Sequence, residues 1–396
     1  VATDTAVGIP FFLEFLATDR GSEPTASSSG VLYEEEFANQ SDTESFDIFW
    51  DGTFHVSEKL KLTAGVRYTR DDKTTRYFGR SVTNANNSNP ILNPRGPGDT
   101  IFIPASENGE LQSASDTFSG MSWRAVAAYH FNDDYNAWIN YARGRRPEVI
   151  AFNTPDGGNA AQTPPVEAET LDAELVDSVE IGGFASLWEG IASFSGSVFY
   201  YEYTNFQTTV IVAGQAAVDT INAGSASSYG AEIQFDAKPN EFLQLFVSYG
   251  FNRGRFDDED DSGQPQQFGG NKFRLSPDHS LSVGITYSYP TEYGTFSFTP
   301  TVSYKTKIFF DDDNDRPELQ GGVDEEQDEF QDNYGLVDMA ARFDSATGKF
   351  AVELFAKNVL DKDYLLDAGN TGDGFGLPTF IPGPDRMVGM TLTGRF

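Results

Sequence analysis

The chain has 396 residues, a formal net charge of −33, no cysteine, 34 Phe, 17 Tyr and 38 Gly. The absence of cysteine excludes disulfides and thiolate chemistry, and the acidic balance argues against nucleic acid as a partner. No window approaches the roughly 18 apolar residues that a spanning helix requires, and the aromatic and glycine content leans toward an all-β protein.

The chain opens without a basic, apolar and small-residue leader, so it reads as mature or as lacking its beginning. Residues 1–41 are expected to be an extracellular loop or part of an upstream segment. From residue 42 onward, apolar and polar residues alternate with period two, the signature of strands with two different faces. Thirteen stretches carry it: 42–55, 60–78, 114–131, 134–143, 174–187, 190–211, 225–237, 242–256, 278–289, 295–310, 332–345, 349–360 and 384–396. In the second, Leu60, Leu62, Ala64, Val66 and Tyr68 oppose Lys61, Thr63, Gly65, Arg67 and Thr69. In the last, Val388, Met390 and Leu392 oppose Met387, Gly389, Thr391 and Thr393.

The connections alternate strictly. Short turns lie near 57–58, 132–133, 188–189, 239–240, 290–292 and 346–348. Long polar loops lie near 79–113, 147–173, 212–224, 257–277, 311–331 and 361–383. An up-and-down meander with tight turns at one rim and long loops at the other produces this rhythm, as in outer-membrane barrels. Stretches of ten residues or more exceed ordinary soluble strands and match a tilted bilayer crossing. The predicted fold is therefore an antiparallel transmembrane β-barrel, apolar parity to lipid and polar parity to a wet lumen. Phe49, Phe184 and Phe355 are large exceptions on the polar parity. The expected location is a bacterial outer membrane, with the lipid bilayer and lipopolysaccharide as neighbours.

Several segments resemble the TonB-dependent outer-membrane receptors: "GVRYTRDDK" (65–73), "FYYEYTNFQ" (199–207), "NAGSASSYGAEIQ" (222–234), "KNVLDKDYL" (357–365) and "GPDRMVGMTLTGRF" (383–396). The resemblance implies a barrel of 22 strands with an N-terminal plug, energised by TonB, that imports a scarce nutrient such as an iron–siderophore, cobalamin or an oligosaccharide. Thirteen strands cannot close with both ends on one side, so about nine strands and the plug are expected upstream or in a second chain. A passive porin and a surface scaffold or adhesin acting through acidic loops are the alternative readings.

Chemistry-bearing residues are sparse, and no constellation suggests an enzyme. His55, His130 and His279 sit at strand ends, as rim residues. Gly182 and Gly230 read as relief of crowding on the wall, and Asn358 and Asp361 as turn-closing residues. Arg143, Arg145 and Arg146 form a local basic segment, a candidate to attract an anionic ligand or a lipopolysaccharide phosphate. The alternative is pairing with the acidic loops. Those loops are 257–261 and 311–332, the latter with eleven acids in 22 residues. Their bland reading is a solvated, self-repelling loop. The sharper one is a structural Ca²⁺ held by two or more of Asp311, Asp312, Asp313 and Asp315.

Overall fold

The computed structural model describes residues 35–81, 103–154, 165–211, 218–260, 263–320, 325–369 and 377–395. Thirteen strands build one antiparallel sheet: β1 (Glu35–His55), β2 (Leu60–Ser81), β3 (Gln112–His130), β4 (Tyr135–Arg146), β5 (Glu174–Leu187), β6 (Ala192–Thr204) and β7 (Ala226–Asn240), then β8 (Leu243–Phe256), β9 (His279–Thr291), β10 (Gly294–Lys305), β11 (Tyr334–Ser345), β12 (Phe350–Lys357) and β13 (Met387–Gly394). Each pairs with its neighbours in the chain, and among the described residues β1 and β13 each keep one unpaired edge. No described helix is long and apolar enough to cross a membrane; the crossing elements are strands.

Register fixes the two faces, because antiparallel partners project to the same side. Val66 lies opposite Trp50 and Leu62 opposite Phe54; Leu354 lies opposite Met390 and Val352 opposite Leu392. This face is exposed although apolar: Val388 is 77% accessible and Leu392 67%. Such a surface is stable only against lipid. Toward the loop rim it carries Tyr68, Tyr141, Tyr200, Tyr229 and Tyr304, and toward the turn rim Tyr129, Tyr135, Tyr289, Phe296 and Phe350, all exposed. Aromatic rings favour both membrane–water interfaces, so the two rows mark them. The opposite face pairs polar groups: Thr53 with Thr63 (2.8 Å), Thr286 with Thr299 (3.0 Å) and Ser288 with Ser297 (3.0 Å). Thr63, Arg67, Thr286 and Thr391 lie on it, opposite in parity to Leu62, Val66, Ile285 and Leu392.

Four large rings on the polar parity lie over glycines of the next strand. Trp138 faces Gly182, Phe199 faces Gly230, Phe246 faces Gly284 and Phe355 faces Gly389. In each pair the ring occupies the space that a Cβ on the glycine would need. The rings therefore lie flat on the wall instead of projecting from it.

The turns at the short rim are closed by side chains. Asn132 Oδ1 accepts from the amides of Asp134 and Tyr135, and Asn240 Oδ1 from those of Phe242 and Leu243. These are asparagine-led turns. His55 and His130 end β1 and β3 at this rim.

Two sequence expectations need correction. Strand β1 begins at Glu35, so 35–41 are wall rather than loop. Beyond Tyr68 the outward parity turns charged, with Arg76 paired to Asp42 and Arg80 to Glu36. This part of the β1–β2 ladder stands beyond the apolar band, where no hydrophobic alternation is needed. The stretch 190–211 is also two elements. Asn205 adopts φ 54° and breaks it, and Gln207–Ile211 leaves the wall to pair with Val218–Asn222. Three further hairpins fold within the long connections: Val149–Asn153 with Glu167–Leu171, Ile308–Phe309 with Phe330–Gln331, and Leu365–Gly369 with Thr379–Pro382.

Candidate functional site

The polar face and the loops above it form the candidate site. On β1–β3 the face carries matched charges. Arg67 Nε donates to Asp47 Oδ1 (2.8 Å), Thr69 adds a hydroxyl bond to the same oxygen (2.5 Å), and Arg124 Nε donates to Asp51 (2.9 Å). On the middle strands the face is mostly Ser, Thr and Gly, with Glu180, Glu232 and Gln234 between them, and on β11–β12 it again carries matched charge, Arg342 with Asp344 (2.7 Å) and Glu353 (3.5 Å).

The structure separates the three arginines of the basic segment. Arg143 points to the lipid side near the loop rim. It makes a two-point ion pair with Asp177, to which Tyr141 Oη also donates (2.8 Å), and its guanidinium lies 4.8 Å from the Trp123 ring centre. Arg145 is buried on the polar side, in contact with Glu148 and 3.9 Å from Asp71. Arg146 donates to the Gln207 carbonyl (2.9 Å) and stands 3.8 Å from Glu174, which itself accepts the Gln207 amide (2.8 Å). No common anion pocket results. Each arginine pairs with an acid on β5, on β2 or just after β4, not with the acidic loops; Arg145 shares the parity of Arg143, but its side chain reaches the inner side beside Gly120, where β4 has ceased to pair with β3.

The loops interlock. Asp312 is buried, and both its oxygens are used: Oδ1 accepts the Arg274 amide (2.9 Å), Oδ2 the Thr208 hydroxyl (2.5 Å). Asn271 Nδ2 donates to the carbonyls of Asp312 (2.9 Å) and Asp313 (2.8 Å). Asn314 accepts the Lys272 amide (2.7 Å) and donates to its carbonyl (2.8 Å), as a neighbouring strand would. Beneath them Phe256 and Phe268 are almost fully buried, packed with Tyr203, Phe206 and Phe273. Gln331 accepts the Leu365 amide, joining the last long connection. Asn358 closes its turn onto the Lys362 amide and carbonyl (2.9 Å each), and Asp361 accepts the Arg386 amide (2.9 Å). His279 Nδ1 shares a hydrogen with Tyr249 Oη at 2.8 Å.

The acidic segment is thus ordered by donors. Asp313 accepts the Asp315 amide (2.9 Å), and Asp315 accepts the Glu329 amide (3.0 Å). Among the described residues no three Asp, Glu, His or Cys side chains converge as a metal centre requires, so the structure does not bring Asp311, Asp312, Asp313 and Asp315 together around one point. Burial, with Asp313 adding repulsion, lifts the Asp311 carboxyl to about 6. Burial raises Asp313 as well. Burial also lowers Lys307, whose ammonium lies 3.3 Å from the Phe330 ring centre. Thr208, Asn271, Asn314 and Gln331 escaped sequence reasoning; the only cue was the presence of Phe268 and Phe273 in an otherwise polar loop.

A lipid-facing antiparallel wall with a polar inner face and a capping loop layer is the wall of a transmembrane β-barrel. The profile of the family described as "TonB dependent receptor-like, beta-barrel" matches residues 6–359, and the chain belongs to that family. The pesticin receptor of Yersinia pestis is 21% identical over 349 residues, 88% of this chain and 42% of the relative. The ferric yersiniabactin uptake receptor FyuA of Yersinia pestis superposes with a TM-score of 0.67 at 16% identity, covering 90% of this chain and 46% of that one. The ferric-catecholate import receptor Fiu of E. coli K12 gives 0.59 at 18% identity, covering 92% and 45%. The copper transporter OprC gives 0.58 at 13% identity, covering 89% and 48%. The chain thus spans less than half the length of each of these four relatives.

Proposed function

We propose that this chain forms the transport wall of an outer-membrane TonB-dependent receptor that imports a small, scarce nutrient. The observation that carries the reading is the combination of an exposed apolar band with a charged inner face under interlocked loops. A passive wall needs the band but not the cap. Metal chelates are the favoured cargo, because relatives named for ferric siderophores and copper share the fold. The free edges of β1 and β13 take further strands, from the same polypeptide or from a second chain, because unpaired backbone groups are costly in hydrocarbon. TonB is the expected energy-coupling partner. The test is uptake of labelled ferric siderophores and copper by cells carrying or lacking the gene, with and without TonB. Gene-dependent, TonB-dependent uptake supports the reading; gene-dependent uptake that persists without TonB replaces it with the porin.

A further inference from the structure

On the inner wall of β1–β3 lies a recess of about 320 Å³, bordered by Ser45, Asp47, Arg67, Asp71, Ser122 and Arg145. It opens below the hairpin formed by Val149–Asn153 and Glu167–Leu171, which is anchored on β2 by the Tyr77–Phe152 ring contact (6.0 Å). Six polar groups of this region are engaged. Asp47 takes Arg67 and Thr69. Arg145 contacts Glu148, and Lys73 donates to the Glu148 carbonyl (2.6 Å).

Asp71 is different. It is 3% exposed, and only its Oδ1 is bonded, by the Ser45 hydroxyl at 2.6 Å. Its Oδ2 is buried without a hydrogen-bond donor. Among the described residues the one cation within ion-pair distance, Arg145 Nη1, stands 3.9 Å away, drawn off by Glu148, while Lys73 and Arg67 act on the carboxylate only from farther off. A buried carboxylate oxygen without a donor is a high-energy group, and a charged N–H is its strongest complement. Formal charges around the recess balance: Asp47, Asp71 and Glu148 against Arg67, Lys73 and Arg145. The selective feature is therefore a missing donor, not an excess of negative charge.

We propose that this recess binds a primary ammonium group of a small solute, with Asp71 Oδ2 as the acceptor. The inference deepens the uptake reading, since it places an amine-recognising station on the lumen wall below the loop layer. Arg145, in this arrangement, is a positioning residue that holds Asp71 without satisfying it.

The experiment is saturation-transfer NMR on the purified protein in detergent micelles, with ethylammonium as the probe and tetramethylammonium as a cation of equal charge without N–H. No TonB or energy source is involved, so failure here is distinct from failure of transport. Ethylammonium is expected to bind, tetramethylammonium not, and Asp71→Asn to weaken binding about tenfold. Ser122→Phe, which fills the recess and leaves the ion pairs in place, is expected to abolish the signal, and it decides the matter if Asp71→Asn does not fold. Equal transfer to both probes, no transfer to ethylammonium, or unchanged binding in the variants overturns the proposal.

Discussion

The hydroxyl of Thr208 donates to Oδ2 of Asp312 at 2.5 Å, across 104 positions of the chain. The same carboxylate takes the Arg274 amide through its other oxygen. One buried side chain thus joins the hairpin after β6, the connection between β8 and β9, and the connection between β10 and β11.

Removing that carboxylate is expected to loosen all three segments together. Asp312→Ala leaves the Thr208 hydroxyl and the Arg274 amide without their acceptor, at about 1–3 kcal/mol for each buried donor. Hydrogen exchange should accelerate in 207–211, 218–222, 271–275 and 312–316 in parallel while the wall strands stay protected. Acceleration confined to 312–316 would show that the segments open independently.

Acidity should tighten the same layer. Asp311 is raised from its usual value to about 6 by burial and by Asp313, with Asp312 and Asp367 adding and Arg274 opposing. A carboxyl whose folded value is raised destabilises the folded loop most above that value, and the penalty shrinks as pH falls from it toward the ordinary value of 3.8. A shift of this size corresponds to roughly 3 kcal/mol at most. Loop protection factors, which remove the intrinsic base-catalysed pH dependence of amide exchange, should therefore rise between pH 7 and pH 5, and those of Asp311→Asn should be high at both. A wild-type loop with lower protection at pH 5 would contradict this sign.

The two faces of the wall should respond oppositely to charge. Ile285→Arg on the lipid face should cost about 2–4 kcal/mol, against about 1 or less for Thr286→Arg on the inner face. Reversible urea unfolding in lipid vesicles measures both. Equal costs would mean that the faces are misassigned.

The ring-over-glycine pairs should behave as coupled sites. Gly284→Ala forces the Phe246 ring off the wall, at about 1–3 kcal/mol for an overpacked contact. In a Phe246→Ala background the same change should be nearly neutral, since the space is then free. A double-mutant cycle reads the coupling directly; additive costs would show that the ring does not need the glycine.

The wall was legible in the sequence because one physical demand, lipid on one side and water on the other, repeats at every second residue. Leu62 against Thr63 and Leu392 against Thr391 carry that demand wherever the strand is inside the bilayer. The signal fades where the demand ends: 35–41 pair with β2 beyond the apolar band, and Glu36, like Asp42 just after them, faces an arginine (Arg80 and Arg76) rather than lipid. The loop layer was illegible for a different reason. Its order rests on single contacts at long separation, such as Asn271 to Asp312 or Gln331 to Leu365, and its hairpins are as short as Ile308–Phe309. The arginines were visible as a group, but their fates depend on register. Asp177 lies opposite Arg143 only once β4 and β5 are aligned.

That every wall strand pairs with its sequence neighbour has a consequence for assembly. Each new hairpin closes a loop of modest length, so the wall can grow by successive local steps with little entropic penalty. The Thr208–Asp312 bond has no such route. Its two ends approach only after β6 through β10 have been laid side by side, and the bond gains nothing from a partial insertion. The layer above the lumen should therefore form last. Protection of the 207–211, 218–222 and 312–316 amides in a pulse-labelling experiment would then mark the moment at which that part of the barrel is complete.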